Sequence, residues 1–389
     1  DSQGQIVISG DTGSTDFPLA NAAQPLFNEL GYDSFVTKFN SNADALVYST
    51  YFGGQTLEYN HALLLGSDGS VTIGGTTVSD DMSVTPGAFQ SSFGGDSDAY
   101  LARYDTSGNL LFSTYLGGSG SDEIAAITAG SDGSIYITGS TSSADFPVTQ
   151  GAYRTTLASD TVGDNADAFI AKLSPTASSM VYATYYGGVV SHAEDHGMDI
   201  AVNASGIVTV SGYTGSSDLP TTTDAVDRVL NDGIIATPDT TPQVDTFVAT
   251  FNATASQLQY GTYVGGTSND VAMQMYIDSE GVVWLVGNTD STDYPVTFDA
   301  FQQIVPGNTN GFVTALNSNR QLLTYSTYVG DQNGAILQDI APSPTGQLMV
   351  AGWYGSSSEA SGFTLYNSPL DSVAQNAEGL LLTFDNPIN

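Results

Sequence analysis

The chain has 389 residues, with 41 acidic side chains against 6 basic ones, a formal charge of −35, 43 Gly and no Cys. That balance excludes nucleic acid, whose phosphates demand clustered Lys and Arg, and equally an anionic membrane surface. Lack of Cys excludes a disulfide framework and thiolate metal sites. No apolar run approaches the roughly 18 residues that span a bilayer, so no direct membrane insertion is expected.

The first element predicted is a strand over 4–10, Gly-Gln-Ile-Val-Ile-Ser-Gly, short, β-branched and opened by a turn Gly. It recurs at 69–75, 133–139, 206–212, 281–287 and 346–352, so consecutive copies lie 65, 64, 73, 75 and 65 residues apart. After a long loop comes a strand led by an acid, at 33–38, 98–103 and 167–172, with weaker versions opening at Asp245, Asn310 and Glu378. A short turn then leads to an aromatic strand containing Tyr48 and Tyr51, or Tyr325 and Tyr328, which usually ends in a Gly pair such as Gly53-Gly54, Gly117-Gly118 or Gly187-Gly188. An apolar strand, for instance 124–128, runs into the next turn Gly.

Four antiparallel strands repeated six times predict an all-β fold, a β-propeller of about six blades in one domain over 1–389. The repeats fall at approximately 1–66, 67–130, 131–202, 203–277, 278–342 and 343–389. Residues three apart on a strand face opposite sides, so Tyr48 and Tyr51 are expected in the core on both faces of a blade. Trp284 and Trp353 are expected there too. The strand tally is 22, two short of six complete blades: a strand is missing before the first turn and another after 379–384, so the end blades are expected to be incomplete.

Phe112-Ser113-Thr114-Tyr115-Leu116-Gly117-Gly118, Asp145-Phe146-Pro147, Gly87-Ala88-Phe89-Gln90 and Asp167-Ala168-Phe169-Ile170-Ala171-Lys172-Leu173 resemble the SBBP β-propeller repeat along the whole chain. Departures are Asp81-Met82-Ser83, which lacks the Pro, and the region after Trp353, which lacks the Asp-aromatic-Pro element. The resemblance implies a prokaryotic extracellular or cell-surface protein and no particular enzyme activity. A chain opening at Asp1 reads as a mature, secreted form.

The long loops all fall on one side of the blades, the side expected to bind. It also gathers carboxylates. Asp16, Asp145, Asp218 and Asp293 are expected to hold their own turns by hydrogen bonds. The crossover acids Asp122, Glu123, Glu194, Asp195 and Asp270, with Glu58, are the candidate Ca²⁺ ligands, because hard oxygen donors on Gly-rich loops are what that cation takes. Gly117 to Ala125 fits a nine-residue Ca²⁺ β-roll pattern once, without the tandem copies a β-roll needs. His192-Ala193-Glu194-Asp195-His196 is the densest set of metal-ligand types, but lacks the spacing of a zinc-protease helix. Asn203 and Asn252 open glycosylation triplets.

No nucleophile elbow, phosphate-cradling loop or Ser or Cys site partnered by His61 is present. The expected protein is therefore not an enzyme but a structural or adhesive assembly subunit, with partners among copies of itself in a filament, cell-surface proteins or glycans. A lectin-like module and a glycan-cleaving enzyme on the long-loop side are the alternatives.

Overall fold

The structure, a computed structural model, describes residues 1–28, 31–158, 166–190, 193–231, 243–305, 307, 309–331, 334–343, 347–354 and 379–384. Its elements are all strands, in six antiparallel sheets. The first sheet holds β1 (Ile6–Thr12), β2 (Asp33–Phe39) and β3 (Leu46–Phe52); the second β4 (Glu58–Leu65), β5 (Val71–Thr77), β6 (Asp98–Tyr104) and β7 (Leu110–Leu116). The third holds β8 (Asp122–Ala129), β9 (Ile135–Thr141), β10 (Asp167–Leu173) and β11 (Met180–Tyr186). The fourth holds β12 (Asp195–Val202), β13 (Val208–Thr214), β14 (Asp245–Phe251) and β15 (Leu258–Val264). The fifth holds β16 (Asp270–Ile277), β17 (Val283–Thr289), β18 (Asn310–Leu316) and β19 (Leu323–Val329), and the sixth β20 (Ala335–Pro342), β21 (Leu348–Tyr354) and β22 (Gly379–Phe384). Order in each sheet follows the chain, so these are the six blades of a β-propeller, whose strands are named inner, second, third and outer as in β4 to β7; among the described residues the first blade has only the second, third and outer (β1 to β3) and the sixth only the inner, second and third (β20 to β22). Gly346, Glu378 and His192 lie outside the described residues.

Two compact units divide the chain: Asp1–Tyr186 with Val202–Val208 and Phe251–Gln257, and Gly187–Ala201 with Thr209–Thr250 and Leu258–Asn389. In the first unit apolar side chains fill the spaces between blades. Val36, Tyr48, Phe52, Val71, Ile73 and Tyr100 form one layer, and Leu101, Ile124, Ile135, Ile137, Phe169 and Leu173 the next. In the second, Val248, Val264, Val283, Leu285, Phe312 and Leu316 form a layer, followed by Trp284, Val286, Val313, Leu337 and Val350. A sheet covered on both faces reads as a nearly continuous apolar run, which is why β9 is buried from end to end. Tyr48 and Tyr51 are buried as expected. Trp284 is buried too and donates to Asp278 Oδ2 at 3.2 Å. Trp353 is not: it is 42% exposed, at a register position that carries Thr76, Ser140 and Asn288 in other blades.

Two glycines of the repeat have distinct physical reasons. Gly133, in the tight turn before β9, has φ of +78°, which a side chain disfavours, and Asp132 braces that turn by accepting the Ser134 N–H at 3.0 Å. Gly139, inside β9, faces a bulge in β8 between Ile124 and Ala126. The bulge pushes the Glu123 carbonyl to 1.9 Å from where a β-carbon would lie. Gly75, Gly287 and Gly352 oppose equivalent bulges with carbonyls at 1.9, 2.0 and 2.0 Å. Among the described residues β1 pairs with β2 alone, and Gly10 meets only the Phe35 ring, at 3.1 Å. Gly139→Ala is therefore expected to destabilise the fold by about 3 kcal/mol or more, and Gly10→Ala by about 1 kcal/mol or less. Urea unfolding of the two variants checks this, and equal losses would contradict it.

Candidate functional site

The most constrained polar chemistry lies where one blade hands over to the next. In four of the inner strands the first residue donates its N–H to the carbonyl just before the preceding blade's third strand: Glu58 to Tyr32 at 2.8 Å, Asp122 to Ser97 at 2.9 Å, Asp270 to Val244 at 2.7 Å and Ala335 to Thr309 at 3.2 Å. Its side chain then turns back under the Gly pair. Glu58 accepts the Gly54 N–H at 3.0 Å, Asp122 that of Gly118 at 2.7 Å, Asp195 that of Gly188 at 2.8 Å and Asp270 that of Gly266 at 2.6 Å.

Hydroxyls complete the cup. Thr77 donates to Glu58 at 2.6 Å, Ser143 to Asp122 at 2.7 Å, Ser216 and Thr214 to Asp195, and Ser291 to Asp270 at 2.7 Å. The next crossover amides go to the Asp-aromatic-Pro carboxylates: Ser119 to Asp145 at 2.7 Å, Val189 to Asp218 at 3.0 Å and Thr267 to Asp293 at 2.9 Å. The expectation that these Asp hold their own turns is corrected for Asp145, Asp218 and Asp293, since each binds a crossover more than 25 residues earlier in the chain. Asp81, where the Pro is absent, does the same for Gln55 at 2.8 Å. An outer-strand tyrosine clamps the loop from the other side, Tyr185 donating to the Ser143 carbonyl and Tyr263 to that of Ser216, both at 2.7 Å.

Facing the cups of Glu58 and Asp122 are the acids that open the preceding blade's third strand, Asp33 and Asp98. Asp33 Oδ2 accepts Gln24 Nε2 at 3.1 Å and the Asn28 N–H at 3.4 Å; Asp98 Oδ2 accepts Gln90 Nε2 and the Gly94 N–H, both at 2.9 Å. Their Oδ1 atoms are buried with no hydrogen-bond partner. A β-carbon on Gly53 would lie 2.8 Å from Asp33 Oδ1 and 2.3 Å from Glu58 Oε2; on Gly117 it would lie 2.7 Å from Asp98 Oδ1 and 2.6 Å from Asp122 Oδ2. Two carboxylates thus converge on each of these glycines. Burial, reinforced by the like charge of Glu58, pushes the Asp33 carboxyl up to about 7. Burial and Asp122 push Asp98 up to about 6, and burial raises Glu58 and Asp122 as well. Asp195 and Asp270 are raised to about 6, again by burial first.

The six crossover acids singled out from sequence do not converge on one another. Asp122, Asp195 and Asp270 hold equivalent buried positions, one per blade. Glu123, the next residue along β8, is only half-buried, and Glu194 is exposed and pairs with His196 Nε2 at 3.3 Å. Among the described residues no three His, Asp or Glu side chains gather as a metal cluster would require. Sequence reasoning missed Asp33 and Asp98 as partners of these acids, and the Thr-x-Ser-x-Asp run (77–81, 141–145, 214–218, 289–293) that builds the cup.

These sheets and seams define the class, a β-propeller built from a repeated unit. Residues 111–147 match the SBBP β-propeller repeat, a span that runs from Tyr115 through the cup of Asp122 to Asp145. The chain is also similar to the regulatory protein FlaEY of Caulobacter vibrioides, at 26% identity over 328 residues, and spans 81% of its own length but only 31% of that protein's. Among solved structures it is similar to the hydrazine synthase of Kuenenia stuttgartiensis, with 12% identity, TM-score 0.43 and coverage of 98% of this chain and 47% of that one. It is also similar to the lignostilbene dioxygenase of Pseudomonas brassicacearum, with 11% identity, TM-score 0.38 and coverage of 89% and 83%.

A further buried acid, Asp199 on β12, ties two blades by accepting the Met275 N–H at 2.8 Å, and burial pushes its carboxyl up to about 7. Its folded value lies above the free one, so its contribution is full below about pH 4 and is lost as pH rises through about 7. Asp199→Asn is expected to flatten the decline in stability over that window. Denaturant titrations at both ends measure it; a slope equal to that of the parent protein would contradict the assignment.

Proposed function

We propose that this chain is a non-catalytic structural module of an extracellular, prokaryotic surface assembly, whose partner is another copy of itself. One observation carries the reading. Ile6 and Ile8 of β1 are 48% and 43% exposed, whereas their counterparts Val71, Ile73, Ile135, Ile137, Val208, Val210, Val283 and Leu285 are all fully buried. At the sixth blade Leu381 is 47% exposed, where Val36, Leu101, Ile170, Val248 and Val313 are fully buried. Blades bury their apolar faces against neighbouring blades, so exposed apolar positions on the first and sixth blades offer a docking face. Contact between a first blade and the sixth blade of another copy is head-to-tail, and such contacts build filaments when they do not close.

A lack of catalysis is supported by the seam acids, which are buried beyond reach of a substrate. An extracellular place is supported by the charge of −35 and the lack of Cys. A second reading, glycan binding, is favoured by Phe298 and Phe301, 98% and 54% exposed on the long loop after β17.

Light scattering over a wide concentration range, with electron microscopy, tests the first reading. The chain is expected to self-associate and Ile8→Asp to dissociate it at least tenfold more readily. A parent chain that stays monomeric throughout overturns the proposal. Binding on a glycan array that Phe298→Ala abolishes would move the assignment to the second reading, and turnover lost on neutralising one carboxylate would make the protein an enzyme.

A further inference from the structure

We propose that the facing carboxylates Asp33 and Glu58, and likewise Asp98 and Asp122, each clasp a hard cation, Ca²⁺ foremost, in the seam between two blades. Both members of each pair are furnished as anions. Glu58 and Asp122 receive a main-chain N–H and a hydroxyl each, and Asp33 and Asp98 receive a Gln amide and a main-chain N–H on Oδ2. Yet Asp33 Oδ1 and Asp98 Oδ1, in side chains that are 0% exposed, have no donor and converge with the partner's oxygen on a glycine. Two buried like charges left facing each other are costly unless something positive lies between them.

Four of the six basic side chains are occupied elsewhere: Lys38 with Asp1 at 2.9 Å, Lys172 with Asp132 at 3.1 Å, Arg103 with Thr72 at 2.7 Å and Arg320 with Thr209 at 3.1 Å. The fifth seam supplies an internal control. Its inner strand opens with Ala335 rather than an acid, and the facing residue is Asn310 rather than Asp. The charge is thus absent from both sides together, as it would be if the two acids share one ion. Oxygen-only donors with two carboxylates suit Ca²⁺ better than a transition metal. The half-buried Glu123 and the exposed Glu194 are not among its ligands.

The test uses the whole chain, stripped with excess EDTA and then supplied with CaCl₂, MgCl₂ or NaCl. Native mass spectrometry counts ions retained per chain, and calorimetry follows unfolding. Ca²⁺ is expected to be retained at two or more ions per chain and to raise the unfolding temperature by about 5 °C or more, with Mg²⁺ less effective. Asp98→Asn/Asp122→Asn is expected to lose one ion and part of that rise, while Asn310→Ala leaves the ion count unchanged. Asp98→Asn alone keeps the proposal testable if the double variant folds poorly, since it too should lose one ion. Unfolding that is identical in EDTA and in every salt, with Asp98→Asn stabilising the protein equally in both, overturns the proposal and assigns the pair a shared proton instead.

Discussion

The acid that opens an inner strand is the constraint on which the rest depends. Its N–H fixes the new blade to the one before, and its side chain draws the Gly pair and crossover into a closed cup, as Asp122 does with Ser97, Gly118 and Ser143. Buried main-chain groups must find partners, and a crossover rich in Gly cannot supply them from its own side chains. The repeat solves this with three acceptors from the next blade: Asp122 for Gly118, Asp145 for Ser119 and Ser143 for Gly120. Glu58, Asp81 and Ser79 do the same for Gly54, Gln55 and Thr56. Blade spacing, loop shape and acid burial follow together.

The same arrangement explains how a chain of −35 distributes so few cations. Lys38, Arg103 and Lys172 occupy equivalent places late in β2, β6 and β10, beside the tight turns. Lys172 lies 4.9 Å from the Tyr136 ring centre and Arg103 5.4 Å from that of Phe112, so each stem and charge covers an aromatic side chain. The basic side chains of the third strands thus serve the tight-turn end of the blades, and the seam acids at the other end rely on N–H and O–H donors.

How much of this was legible in the sequence depended on how local each signal was. Strand positions, the turn Gly and the burial of Tyr48 and Tyr51 follow from patterns a few residues long, and even the weak strand at Gly379–Phe384 stood where expected. The seam was only half legible. Asp145 looks like a turn residue in sequence, but its partner Ser119 lies in the preceding crossover. Asp122 and Glu123 look interchangeable, yet the alternation of a strand buries the first and leaves the second half-exposed. Asp33 and Glu58 are 25 residues apart and meet only because consecutive blades pack together. The exposure of Trp353 did have a signal, since the repeat carries polar Thr76, Ser140 and Asn288 at that register.

The repeat and the blade are out of phase by one strand. A copy counted from turn to turn, such as 67–130, carries β5, β6 and β7 of one sheet and β8 of the next. No such copy holds a complete four-stranded sheet, and every copy before the last is stitched into two blades at once. Tension along the chain would therefore have to shear an inner strand from its own sheet and break its seam in the same step. Rupture would advance in whole-copy increments, a ratchet-like resistance to pulling that a string of separately folded sheets would lack.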